Sequence, residues 1–439
     1  MKPYCDSSLE APCARQAPAR DASADSPAIA SAARPTVPEV RGQIPTQVGT
    51  RSLALGLSVF LAAIAVYCAA MTAALLAPWW PLQIACAVLA GVFLATLFVV
   101  GHDACHGSLT PHDSLNQMLA RIAFLPSCTP YASWEFAHNR VHHSYTNLRG
   151  KDYAWAPLSK QEYDGLSRRR RWLERHYRSV WGLGSYYLIE YWLRHLLFPT
   201  KSERHDMKRP VAFAFDLVLV VAFMATQIAC LYAWCETLAP SESVWGPFTS
   251  VPALFLTAIV LPFLIWNWGM AFAIFQHHNH PRAVWYAVRE EWDFFAGQVE
   301  STVHAQMPRW LEWISAFIMQ HTAHHVNRRI PLYKLSQSQR HLERAYDQII
   351  IQPWSFTALG KTLARCKLYD YENHRWLTFE GRPTTGPNPA MHEMQERQHR
   401  RGARRELKGA EDVPHLASEP AARASSLSDP YDVPFVRTC

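Results

Sequence analysis

The sequence has no pair of cysteines at Cys-x-x-Cys spacing. Its ten cysteines are scattered, with Cys5, Cys13 and Cys439 near the ends and Cys68, Cys86, Cys230 and Cys235 in or beside apolar runs. That scatter excludes a thiolate zinc site, a zinc-dependent deaminase and a disulfide framework. Charge is also scarce, at 18% of residues against 49% apolar and 12% aromatic. Residues 1–50 lack the short apolar core of a secretion signal and are rich in Ala, Pro, Ser and Arg, so a disordered tail is expected there. A second disordered tail is expected over 381–439, leaving 51–380 as one membrane domain. There is no internal repeat.

What is present is apolar residues in blocks. Mean hydropathy is only -0.12, so the apolar fraction must be concentrated, as it is in bilayer spans. Four stretches approach the roughly 20 residues that cross ~30 Å of hydrocarbon: Leu53–Leu76, Leu82–Val100, Val211–Trp234 despite Asp216, and Val251–Phe275 with a kink expected at Pro262. The turn 77–81 and the loop Glu236–Ser250 contain no Lys or Arg, whereas Gly101–Pro210 contains sixteen. Basic loops stay on the cytoplasmic side, which predicts that this segment and both termini are cytoplasmic. The formal charge of +7 is read the same way, with no nucleic-acid partner. Leu115–Leu125, Val180–Phe198 and Trp310–Met319 mix aromatics with charge and are expected to lie along the membrane surface or over the spans. Glu190, Arg194 and His195 argue against a fifth span.

The 21 histidines cluster. His102 and His106 follow the second span, then His138, His142 and His143, and His321, His324 and His325 follow the fourth. Residues i and i+4 share a helix face. His102 with His106, and His138 with His142, are thus predicted to chelate from one face, with His143 turned toward a second metal; the third cluster offers i, i+3 and i+4. Eight imidazoles exceed the four protein ligands of a mononuclear zinc site and suit two metals. Imidazole alone does not choose among Fe, Zn, Cu and Ni. A zinc protease would need glutamate after the first histidine, where this chain has Asp103.

The segments His102-Asp103-Ala104-Cys105-His106-Gly107, His138-Asn139-Arg140-Val141-His142-His143 and His321-Thr322-Ala323-His324-His325 resemble the three histidine boxes of membrane fatty acid desaturases. Thr146-Asn147, Asp152, Trp155, Pro157 and Glu162-Tyr163 are similar to the segment after the second box in acyl-lipid desaturases. Gln276-His277-His278-Asn279-His280-Pro281 resembles an element of the carbon-12 and omega-3 subgroup, and Asn327, Arg329-Ile330-Pro331 and Tyr333 resemble the tail of the third box. The likeness runs over roughly Leu53–Trp376. It implies an all-α integral membrane fold of four transmembrane helices with a cytoplasmic helical cap. It also implies two iron ions (Fe2+/Fe3+) held by eight or nine histidines, one from between the second and third boxes. His280 is preferred for that place, with His277 and Gln276 as further possible ligands and His278 as a neighbour without a metal bond. The implied partners are an acyl chain linked to lipid, carrier protein or coenzyme A, O2, membrane lipids, and a separate electron donor such as a ferredoxin or small cytochrome.

Carboxylates are expected to orient the imidazoles through their second nitrogen; Asp103, Asp152 and Glu135 are the candidates. Trp266, Asn267 and Trp268 are expected near an acyl tunnel, and Arg168–Arg171 as a dock for an acidic carrier or lipid head groups. Two other readings compete. A related di-iron hydroxylase, ketolase or acetylenase would use the same ligands. A metal transporter or sensor would place ionisable residues within the spans, whereas these clusters lie outside them.

Overall fold

The computed structural model describes residues 34–240, 242–388 and 391. The chain runs through α1 (Val37–Gly42), α2 (Leu53–Leu76), α3 (Trp80–Cys105) and α4 (Asp113–Phe124). It continues with α5 (Arg168–Tyr177), α6 (Pro210–Thr237) and α7 (Val251–His278). Then come α8 (Arg309–Ile314), α9 (His321–Val326), α10 (Leu332–Ala345) and α11 (Phe356–Arg365). Two small strand pairs complete it: β1 (Val303–Gln306) parallel to β2 (Ile350–Pro353), and β3 (Leu368–Asp370) antiparallel to β4 (Arg375–Leu377).

α2, α3, α6 and α7 are the four helices long and apolar enough to cross a membrane among the described residues. Three of them start on a recognisable signal. The Ser52 hydroxyl accepts from the Leu55 N–H at 3.3 Å and caps α2. Pro81 and Pro210 sit in the first turns of α3 and α6, where the missing N–H has no partner to lose. α3 has 26 residues, about 39 Å at ~1.5 Å per residue, longer than the ~30 Å hydrocarbon layer. Its surplus turns carry His102 and Cys105 past the apolar run. Just before Pro262, where a kink is expected from the sequence, Phe255–Val260 widens into π-helix.

α3 and α7 are drawn together at Gly91. A Cβ there would lie 2.5 Å from the Ile265 Cβ, so only glycine permits this approach. α6 stands apart, with 11% of its most apolar window buried against 50% for α3 and α7. It is tied in by Asp216. Oδ1 accepts from Arg121 Nε at 2.7 Å and Oδ2 from the Ala132 N–H at 2.8 Å. A carboxylate in an apolar helix is thereby ion-paired and hydrogen-bonded. Val180–Phe198 does not form a fifth span. Its core is the 11-residue π-helix Tyr187–Leu197, and Glu190 there accepts from Arg170 at 2.5 Å, Arg194 at 2.7 Å and Tyr177 at 2.9 Å.

The structure describes part of each expected tail. Within 1–50, residues 35–50 are structured: α1 has a capping box on Thr36, and Val40, Ile44 and Val48 are buried in the main core. Apolar residues every four positions gave this stretch a face to bury, which the Ala/Pro/Ser composition masked. Within 381–439, residues 381–388 return along β4, with Thr384 N–H donating to the Trp376 carbonyl at 2.9 Å. The rest of both tails, at 1–33, 389–390 and 392–439, lies outside the described residues.

Candidate metal centre

The C-terminal ends of α3 and α7 deliver histidines to one place, and α9 brings the third cluster beside them. In the second cluster His138 lies on a π-helix, Glu135–Val141, and His142 and His143 on the 3-10 turn that follows it. A π turn is wider than an α turn and aligns residues five apart. His138 and His143 therefore meet, with Nε2 atoms 3.2 Å apart, and the predicted pairing of His138 with His142 is replaced. His142 turns toward a different set of rings.

Two groups result. His102, His106, His138, His143 and His324 form one, and His142, His278, His321 and His325 the other. Within each group the ligand atoms lie within 4.8 Å of one another. Contacts are made nitrogen to nitrogen: His102 Nε2 is 2.8 Å from His138 Nε2 and 3.1 Å from His106 Nε2, and His321 Nε2 is 2.9 Å from His278 Nε2. The groups adjoin, since the His143 and His325 rings stack at 4.3 Å. The first box gives both its rings to one group, while the other two are shared: the second gives two rings to one group and one to the other, and the third gives His324 to the first and His321 and His325 to the second.

These rings fit metal cations. Burial first, then the charge of neighbouring groups, pushes His106, His138, His143, His321, His324 and His325 well below the ordinary imidazole range, so they stay neutral with a lone pair to give. His324 Nε2 and His325 Nε2 are buried with no hydrogen-bond partner. Buried polar atoms without partners are costly, and a shared cation would satisfy several together. Five nitrogen donors in one group exceed a tetrahedral zinc set.

Hydrogen bonds to the second ring nitrogens fix two of the clustered rings. Asp152 holds His142 Nδ1 at 3.0 Å, as expected of one of the three carboxylates. Asp103 instead accepts from the Leu332 N–H at the start of α10 at 3.3 Å, and Glu135 pairs with Arg140 at 3.4 Å. Gln298 takes a role that no spacing signalled. Its Oε1 lies 2.6 Å from His325 Nδ1 and its Nε2 donates to the His143 carbonyl at 2.9 Å, touching a histidine of each group. Thr146 Oγ1, 3.2 Å from His325 Nδ1, joins it.

The ninth ring is His278, where His280 was preferred. Asn279 is extended, with φ -118°, so α7 ends at His278 and the chain turns away. His280 lies outside both groups, its Nδ1 accepting from the Arg282 N–H at 3.1 Å. His277 stacks on His321 with centroids 3.6 Å apart and puts Nε2 3.1 Å from Met319 Sδ. The Gln276 carboxamide is buried with no hydrogen-bond partner. His304 pairs with Glu343 at 2.5 Å.

An aromatic layer underlies the first group. Trp134 stacks on His138 at 5.0 Å, and Phe98 contacts Trp134 at 4.9 Å, Phe124 at 4.5 Å and Trp266 at 5.1 Å. Trp266 is thus part of a packed layer, while Asn267 is buried without a hydrogen-bond partner and Trp268 donates to the Val180 carbonyl at 2.9 Å. Gly101, one residue before His102, allows α4 to close on α3, since a Cβ would fall 2.5 Å from Ala123 Cβ.

Comparison with known proteins gives this geometry a context. The profile described as fatty acid desaturase matches residues 78–356, from the turn before α3 to the start of α11. The chain is 28% identical over 307 residues to the spinach (Spinacia oleracea) protein named omega-6 fatty acid desaturase, chloroplastic, covering 69% of this chain and 63% of that one. It therefore spans less than two thirds of that relative. It is 28% identical over 311 residues to the sn-1 oleoyl-lipid 12-desaturase of a Picosynechococcus species, covering 69% and 81%. Against the protein of the same name from Arthrospira platensis it is 31% identical over 261 residues, covering 59% and 68%. The matched region contains all nine clustered histidines, and on that extent this chain belongs to the fatty acid desaturase family.

Proposed function

We propose that the two histidine groups each hold one iron ion and that the chain is an integral-membrane acyl-lipid desaturase. The observation that carries this reading is the convergence of nine imidazoles into two adjoining groups at the ends of two apolar helices. The irons with dioxygen supply the oxidant for an unactivated methylene, which no side-chain acid or base can attack. His102, His106, His138, His143 and His324 would hold one ion, and His142, His278, His321 and His325 the other; Gln276, buried and unpartnered, is within the same helix end as His278.

The protein's own part is orientation and exclusion. Asp152 keeps the proton of His142 on Nδ1, so Nε2 faces the group, and Gln298 does the same for His325. Trp134, Phe98 and Phe124 close the space beneath His102 and His138 against water. Holding one carbon pair of the acyl chain against the ions provides both rate and positional selectivity. The excess of basic residues over 101–210, with none over 77–81 or 236–250, supports a centre on the cytoplasmic side. The name of the cyanobacterial relatives, sn-1 oleoyl-lipid 12-desaturase, supports a lipid-linked oleoyl chain as substrate.

The test is expression of the full chain in a host whose lipids carry only monounsaturated chains. A new double bond, seen as loss of two hydrogens by mass spectrometry, with two irons per purified chain, is the expected result. Gain of an oxygen atom, or zinc in place of iron, would overturn it.

A further inference from the structure

A cavity of about 510 Å³ opens beside the centre and reaches one histidine of each group, His143 and His325. Its rim carries Arg41 from α1, Arg289 from the loop after α7 and Arg328 from just beyond α9. All three residues are exposed. Each guanidinium is held by a neutral carbonyl. Arg41 Nε donates to Val326 O at 2.9 Å, Arg289 Nη1 to Trp292 O at 2.7 Å and Arg328 Nη1 to Asn139 O at 2.7 Å. None of the three is in an ion pair among the described residues. Asp293 also faces the cavity, with Oδ1 accepting from the Ala296 N–H. Burial, and then the charge of Arg328, hold Arg41 below its ordinary value, so the two cations crowd each other.

Positive charge that is fixed in place yet uncompensated is disfavoured in the isolated chain and rewarded when an anionic surface covers it. The rim also presents Trp292 and Phe294, and arginine with aromatics is the composition that dominates protein contacts. An acyl chain needs apolar walls, and eight of the ten residues lining this cavity are polar or charged. On the basic helix α5, by contrast, Arg170 is already matched by Glu174 at 2.9 Å and Glu190 at 2.5 Å.

Given the desaturase reading, on which this inference rests, electrons must enter from outside. Converting CH2–CH2 to CH=CH releases two electrons and two protons, whereas reducing O2 to two waters takes four of each. The other two electrons and two protons must be supplied. We propose that the Arg41–Arg289–Arg328 rim is the docking surface for an acidic one-electron carrier protein, which delivers electrons to the ions through the opening at His143 and His325.

The test uses the iron-loaded full chain in lipid nanodiscs, with a reduced acidic [2Fe–2S] ferredoxin and a small acidic b-type cytochrome as probes. Oxidation of each carrier is followed by stopped-flow absorbance, independently of product. The expected result is that at least one carrier is oxidised by the wild type at a rate that falls with salt. R289E/R328E should slow that step about tenfold or more, and R289E alone should slow it in the same direction with unchanged iron content. R168E/R169E, on α5, should leave it unchanged. Equal rates in R289E/R328E and wild type, equal slowing by R168E/R169E, no oxidation of either carrier by the wild type, or loss of phosphatidylglycerol-vesicle binding in place of carrier oxidation would each overturn the assignment. If dithionite-reduced wild type forms no double bond while carrier oxidation still depends on the arginines, the desaturase reading fails and the docking surface stands.

Discussion

Asp152 lies with both carboxylate oxygens within 3.1 Å of His142 Nδ1 and also accepts from the Asn147 and Ala154 N–H groups. One carboxylate thus orients a ring of the four-histidine group and fixes the turn that follows it. Asp152→Asn keeps the shape but presents an N–H where an acceptor is needed. Affinity for the second ion should fall about 10–100-fold. Iron per purified chain should drop from two toward one, measured by plasma mass spectrometry; two tightly held irons in D152N would show that the contact is only structural.

His278 and His280 are two residues apart and should behave oppositely. His278→Ala removes a member of the four-histidine group, so iron content and lipid desaturation should both collapse. His280→Ala removes a ring whose Nδ1 accepts from the Arg282 N–H, so iron content should stay near wild type. The same metal assay on the two variants decides it, and the reverse order would restore His280 as the ninth ligand.

The contrast between those two rings shows what the sequence carried and what it did not. The four spans were legible because apolar runs of that length have few other uses. The box histidines were legible as a set, since three regular clusters at span ends are hard to explain singly. Their division between groups was not. It depends on a π turn at Glu135–Val141, which five-residue alignment of His138 and His143 reveals only in three dimensions. The choice of His278 depends on Asn279 breaking the helix one residue before His280. Gln298 approaches His325 from a separate π-helical turn, Ala296–Glu300, 27 positions away, and no spacing rule connects them.

Asp216 should matter for stability and not for chemistry. It joins α6 to Arg121 and to the Ala132 N–H, and α6 has little other burial. Asp216→Ala leaves Arg121 without its partner, and breaking such a pair costs about 3–5 kcal/mol. A lower melting temperature in detergent is expected, with iron content per folded chain retained. An unchanged melting temperature would mean that lipid or other contacts hold α6.

Glu190 gives an acid-sensitive joint. Burial raises its carboxyl, but Arg170, Arg194 and Tyr177 outweigh this and bring it down to about 2. A carboxyl whose folded value lies below its unfolded one stabilises the fold at pH above the unfolded value, about 4.3. That contribution is lost as pH falls from there toward 2. Glu190→Gln cannot titrate, so the gap in melting temperature between wild type and E190Q should be widest near neutral pH and shrink below pH ~4. Metal-free protein should be compared, so that ligand protonation does not enter. A gap independent of pH would show that the ion pairs with Arg170 and Arg194 contribute nothing.

Gln298 provides the sharpest separation of orientation from packing. Its Oε1 accepts from His325 Nδ1 at 2.6 Å, which leaves His325 Nε2 as the buried, unpartnered lone pair of the four-histidine group. Its Nε2 meanwhile donates to the His143 carbonyl at 2.9 Å. Gln298→Leu keeps most of the volume and removes both contacts, so only the longer Thr146 Oγ1 contact, at 3.2 Å, is left to hold the His325 Nδ1 proton. Metal affinity should fall about 10–100-fold. Gln298→Glu restores the acceptor toward His325 while giving up the donor toward His143. If ring orientation is what matters, Q298E should recover most of the iron that Q298L loses. If the brace on the second-box backbone is what matters, both variants should lose iron equally. Iron content and the melting temperature of the two proteins, read side by side, distinguish these outcomes.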